Sequence, residues 1–169
     1  MDAADFKPTR LLERLTSAGV DFVVIGGFAG IAHGSARMTY DLDILFAPDT
    51  GNLDALGGLL VDLGAKLRGI EEDVPFVPDS RTLKQVRVLT LDTPHGPLDV
   101  LVEPSGAPRY ETVRRRAERV PLEGVTVLVA SLDDLIAMKR AAGRPKDLLD
   151  IEELEAIRRL RRRIKPKTG

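Results

Sequence analysis

The chain contains no cysteine and no tryptophan. Without thiols it has no disulfide scaffold, no zinc-thiolate site and no cysteine nucleophile. Aromatic residues make up only 4% of the sequence, too few for a broad platform on which single-stranded bases would stack. No apolar run is long enough to span a bilayer. The opening Met1-Asp2-Ala3-Ala4-Asp5 is acidic and offers no apolar signal segment. These absences predict a cytoplasmic, soluble chain that makes no contact with a membrane.

What is present points to a folded domain. The chain has 169 residues, enough for one domain with a real core, and 43% of them are hydrophobic. A net charge of −1 hides an asymmetry, because positions 158–169 carry seven of the 25 Lys and Arg residues and no acid. The rest of the chain sets 18 basic residues against 26 acidic ones, a net of −8. Such a body is a poor general nucleic-acid binder, and its basic tail, Arg158 to Lys167, reads as a solvated helix end, with RNA contact as the alternative.

The chemistry concentrates near the N-terminus. Val23-Val24-Ile25 reads as a buried strand that ends in Gly26-Gly27, where backbone N–H groups can approach a ligand closely. Residues 28–36 are expected to form a short helix opening towards the same place, an arrangement that favours phosphate. In Asp41-Leu42-Asp43-Ile44 the period of two puts both carboxylates on one strand face and both aliphatics on the other. Two adjacent carboxylates on a rigid strand repel unless a cation lies between them, and hard oxygen ligands suit Mg²⁺ carrying nucleotide phosphates. The glycines match neither the G-x-G-x-x-G dinucleotide pattern nor a Walker A loop.

The remaining chain supplies a frame. Pro8 with Leu11, Leu12 and Leu15 predicts a first helix stopped at Gly19. Leu53, Leu56, Leu59, Leu60 and Leu63 line one face of another, ending near Gly64. Residues 69–81 read as a loop. Val86 to Leu91 alternates as a strand, 92–97 as a turn, and Leu98-Asp99-Val100-Leu101-Val102 as a second strand with Asp99 and Glu103 on one face. Residues 109–119 read as a basic helical segment and Val125 to Val129 as a last strand. Ser131 caps a helix that ends at Gly143, and Pro145 starts a final helix carrying Leu148, Leu149, Ile151, Leu154, Ile157 and Leu160. His33 is expected to be structural. Arg37 is either a helix-end cation or a contact to triphosphate or acceptor, and Thr39 orders the turn into the strand.

Taken together, Gly26-Gly27, His33-Gly34, Arg37, Thr39, Asp41, Asp43, Asp99 and the stretch from Leu135 to Asp150 resemble the DNA polymerase β-like nucleotidyltransferase superfamily. Within it the chain is most similar to the minimal nucleotidyltransferases and the abortive-infection toxin nucleotidyltransferases. One position departs from the pattern: the superfamily's usual Gly-Ser turn is here Gly-Gly, and Gly27 has no hydroxyl. The resemblance implies an α/β fold: a small mixed sheet with packed helices and a C-terminal helical pair. The expected division is a nucleotidyltransferase core at 1–130 and a helical segment at 131–169, in one compact domain.

The resemblance implies metal-dependent transfer of an NMP from an NTP to an acceptor hydroxyl, with release of pyrophosphate and a toxin–antitoxin setting. Asp41, Asp43 and Asp99 are the implied catalytic and metal-ligating residues, holding two Mg²⁺ or Mn²⁺ ions. Gly26, Gly27, Arg37, Thr39 and Lys139 are the implied nucleotide contacts. The acceptor stays open between a tRNA-like RNA end, a protein side chain and a small molecule, and the oligomeric state is unassigned. The alternative is a catalytically inactive module with the same fold, an antitoxin-like binding partner. Asp147 and Asp150 are expected to pair with Arg144 or Lys146 as structural groups.

Overall fold

The computed structural model describes residues 6–70 and 76–165. The acidic opening, part of the 69–81 loop and the last residues of the basic tail lie outside these residues. Helix α1 (Pro8–Ser17) buries Leu11, Leu12 and Leu15 as its stripe predicts, and Gly19 follows it at φ +72. Strand β1 (Phe22–Ile25) is buried along its whole length, so it runs through the centre of the molecule. Short helix α2 (Gly26–Ala32) follows at once, then strand β2 (Leu42–Phe46). Helix α3 (Thr50–Asp62) is capped by Asp49, whose side chain accepts from the Asn52 N–H. Buried Asn52 in turn ties β1 to β2, donating from Nδ2 to the carbonyls of Asp21 and Ala47 at 2.9 Å each.

Next come β3 (Lys66–Leu67), α4 (Ser80–Gln85), β4 (Val88–Thr93), β5 (Gly96–Leu101), α5 (Tyr110–Arg116), β6 (Glu118–Leu122), β7 (Val125–Val129), α6 (Leu132–Ala142) and α7 (Pro145–Ile164). The strands form one mixed seven-stranded sheet in the order β3-β4-β5-β2-β1-β7-β6. β2 runs parallel to β5 and β1 parallel to β7, while the other neighbours are antiparallel. Two registers place the site: Ile25 lies opposite Asp43, and Asp43 opposite Asp99. The architecture is the mixed α/β sheet with packed helices and a C-terminal helical pair that the sequence implies.

Several boundaries differ from expectation, each for a physical reason. α2 begins at the glycines themselves and ends at Ala32, instead of spanning 28–36. The expected loop at 69–81 runs into α4, capped by Asp79 and anchored by buried Leu83. α3 accepts this neighbour because Gly57 has no side chain: a Cβ there would lie 2.0 Å from the Pro78 carbonyl oxygen. The turn expected at 92–97 shrinks to Pro94-His95, since Thr93 Oγ1 donates to the Gly96 carbonyl at 2.7 Å and accepts from the His95 N–H at 3.1 Å. The basic segment 109–119 yields its last residues to β6, an edge strand that pairs with β7 around Glu123-Gly124, both at positive φ. On α7, Leu154 is buried, but Leu148, Leu149 and Leu160 are exposed, because the helix packs chiefly on α6 and covers only a narrow stripe.

Candidate active site

Three carboxylates converge at the ends of the central strands. Asp43 lies on β2, Asp99 opposite it on β5, and Asp41 just before β2. Each offers one oxygen within 4.8 Å of the others. Among the described residues this is the one group of three or more His, Cys, Asp or Glu side chains arranged to hold a metal ion. Burial, then the charges of Asp41 and Asp99, push the Asp43 carboxyl up to about 7. Burial also raises Asp99, against the opposing charge of Arg68. A trio of acids so crowded that one holds its proton near neutral pH is an arrangement that a divalent cation relieves. The residues present therefore fit such an ion.

The glycine edge is shaped by these acids. Gly26 has φ +69, and a Cβ there would lie 2.1 Å from Asp43 Oδ2. At Gly27 a Cβ would meet Thr39 Oγ1 at 2.9 Å. The Thr39 hydroxyl donates to Asp41 Oδ1 at 2.9 Å, so the space a serine would need at position 27 is filled by a threonine that holds Asp41 in place. Bare backbone thus borders the acids directly. Gly26→Ala combines left-handed strain with a clash into a buried carboxylate, and we expect it to destabilise the protein by about 2 kcal/mol or more and to displace Asp43. Urea unfolding checks this, and an unchanged midpoint would refute it.

A cleft of about 210 Å³ opens from the acids and the glycines towards α6 and α7. Its far wall is a charge network. Lys139 Nζ lies 2.7 Å from Asp150 Oδ2 and 3.7 Å from Asp147 Oδ1, and Arg37 Nε lies 2.8 Å from Asp150 Oδ1. Arg144 Nε reaches Asp147 Oδ2 at 2.8 Å. Burial would raise the Asp147 carboxyl, but the hydrogen bonds and charge of Arg144 outweigh it and hold the group below its ordinary value. Asp147 and Asp150 thus hold Lys139, Arg144 and Arg37 facing the acids across the cleft. Arg144, Lys146 and Ser35 also line it.

The structure brings every expected site residue to this one cleft: Gly26, Gly27, Arg37, Thr39, Asp41, Asp43, Asp99 and Lys139. His33 is buried, with Nε2 at 2.7 Å from the Ala130 carbonyl, which ties α2 to the end of β7. Glu103 lies past the end of β5, exposed and 3.9 Å from Arg87. The tail is partly spent on the body: Arg158 pairs with Asp133 and Arg161 with Glu118. Arg68 was not anticipated. Its Nη2 lies 2.9 Å from Asp99 Oδ1, a contact across strands that no local motif announces.

The chain matches the family described as "Nucleotidyl transferase AbiEii toxin, Type IV TA system" over residues 10–164. No curated protein sequence matches it. Among solved structures it is similar to the lincosamide antibiotic adenylyltransferase LnuA in its lincomycin-bound form. The TM-score is 0.59 at 17% identity, with 88% of this chain and 94% of that one covered. It is also similar to the antibiotic-resistance factor ANT(2'')-Ia, with a TM-score of 0.55 at 16% identity over 91% of this chain and 88% of that one. At such identities the two structures speak for the fold alone.

Proposed function

The chain belongs to the nucleotidyl transferase AbiEii toxin family, and from that premise we propose that it moves an NMP from an NTP to an acceptor hydroxyl, releasing pyrophosphate, in a toxin–antitoxin setting in the cytoplasm. The observation that carries the reading is the meeting of three carboxylates and a bare glycine edge in one cleft whose opposite wall is cationic. We assign 1–130 to the catalytic core and 131–169 to the helical segment that brings Lys139 and Arg144 to it.

Asp41, Asp43 and Asp99 are the residues that would hold divalent ions, two Mg²⁺ or Mn²⁺. When bound, such ions neutralise phosphate charge and lower the pKa of the attacking hydroxyl. Gly26 and Gly27 bring backbone close to the leaving phosphates. Lys139, Arg144 and Arg37 spread positive charge along the triphosphate, already oriented by Asp147 and Asp150. Thr39 keeps Asp41 from turning away. The acceptor enters on the Asp99 side, along a groove of about 500 Å³ walled by Val88, Leu101, Leu135 and Met138. It is an RNA end, a protein side chain or a small hydroxyl compound, the last class being that of the lincomycin in the LnuA structure.

Nucleotide is expected to stabilise the fold only with Mg²⁺ or Mn²⁺ present, because triphosphate and carboxylates repel without the ion. Ligand at a hundred times its Kd adds about 2.7 kcal/mol. Melting curves with ATP, CTP, GTP and UTP, with metal and with EDTA, test this. Equal shifts in EDTA would count against the site as described.

A further inference from the structure

The Arg68 guanidinium donates two hydrogen bonds, to Asp92 and to the Leu91 carbonyl, and forms an ion pair with Asp99. Nε lies 3.2 Å from Asp92 Oδ1, and Nη2 lies 2.8 Å from the Leu91 carbonyl oxygen and 2.9 Å from Asp99 Oδ1. The backbone directs it there. β3 pairs with β4, and the Arg68 N–H donates to the Thr90 carbonyl at 3.0 Å. Thr90 lies opposite Asp99, and Asp99 opposite Asp43. Arg68 is thus the outer end of one row that crosses the sheet through Thr90 and Asp99 to Asp43. Pinning the two-residue edge strand would require only Asp92 and the Leu91 carbonyl. The contact with Asp99 goes beyond that.

We propose that Arg68 is a built-in counter-cation of the carboxylate cluster: it takes one charge of Asp99 in the ion-free protein and weakens binding of a free divalent ion at that end of the site. This rests on the reading of Asp41, Asp43 and Asp99 as ion ligands. The fork-shaped guanidinium suits the role, because it satisfies strand carbonyl and carboxylates together, whereas a lysine offers a single point. A divalent ion and a unit charge about 6 Å apart repel enough, even at the dielectric constant of water, to change affinity tenfold. An incoming triphosphate brings negative charge that offsets this repulsion.

The test uses Mn²⁺ alone, without nucleotide, titrated into the full chain and followed by the magnetic resonance signal of the free ion. Arg68→Gln removes the charge but keeps a hydrogen-bonding side chain. It is expected to bind Mn²⁺ about tenfold more tightly than the parent, while Arg68→Lys stays near the parent. In an Asp99→Asn background the gain from Arg68→Gln should shrink to within about twofold, because the ion that Arg68 opposes has lost its ligand at that end of the site. A parent that binds Mn²⁺ with Arg68→Gln binding no more tightly overturns the role of Arg68 and leaves the ion site standing. A gain undiminished by Asp99→Asn also overturns it. Absence of Mn²⁺ binding by parent and variant alike overturns both this inference and the ion-site reading beneath it. Circular dichroism melts confirm that each variant is folded, and a loss of stability without tighter binding assigns Arg68 to the edge strand alone.

Discussion

Asp99→Asn is expected to lower NMP transfer roughly a thousandfold or more while leaving metal-dependent NTP binding within a few-fold of the parent. Asp41→Asn and Asp43→Asn are expected to lose both. The difference follows from position. Asp43 abuts Gly26, Asp41 is held by Thr39 beside Gly27, and both line the cleft opposite its cationic wall, where we place the triphosphate. Asp99 lies one strand further out, within 2.9 Å of Arg68, and like Asp43 it borders both the cleft and the neighbouring groove. A carboxylate that serves the attacking hydroxyl is needed in the transition state more than in the ground state, so its loss falls on turnover. Asn keeps the shape and removes the charge, which separates electrostatics from packing. Calorimetric titration of NTP beside a transfer assay, on all three variants, decides the matter. An Asp99→Asn protein with normal turnover would remove Asp99 from the site.

The second large effect concerns pH and stability without metal. Asp43 titrates near 7 in the folded protein, against 3.8 for an unperturbed side chain, because burial and then Asp41 and Asp99 disfavour its charge. Between about pH 4 and pH 7 the folded protein holds a proton that the unfolded chain has released. Stability therefore falls as pH rises through that window and levels off above it. The full shift corresponds to on the order of 4 kcal/mol at pH 8. Asp43→Asn removes the cost, so in EDTA the variant should be more stable than the parent by about 4 kcal/mol at pH 8 and by about 2 kcal/mol at pH 5. Mg²⁺ should stabilise the parent at pH 8 and leave the variant almost unchanged. Urea unfolding at both pH values measures this. Parallel pH profiles for parent and variant would show that Asp43 carries no such burden.

Both expectations rest on residues legible in the sequence, because their signals are local. The period of two in Asp41-Leu42-Asp43-Ile44 and the leucine spacing of α1 and α3 report which face is buried whatever the neighbours are. Ser131 and Gly143 mark the ends of α6 by cap chemistry that lies within a few residues. The cap at Asp79 was equally local, but two prolines and three acids around it hid a helix of six residues. β6 was hidden for a different reason: its Glu118, Arg119 and Pro121 suit an exposed edge, where alternation is weak because neither face is fully buried.

The sequence by itself determined the glycine edge, the alternating carboxylate pair and most of the helices that frame them, since each is set by short-range sterics and hydrophobic period. Asp99, by contrast, entered as the third acid only through the family resemblance. Only the tertiary structure decided how these parts share one cleft. The β2–β5 register that sets Asp43 beside Asp99 is made by pairing between distant segments. So are the clamp of Asp150 on both Lys139 and Arg37, and the choice of Arg68, among many surface arginines, to lie on Asp99. Ion pairs of this kind depend on a few ångströms between side chains far apart in the chain. Charge falls off with distance in space, and a sequence records distance only along the backbone.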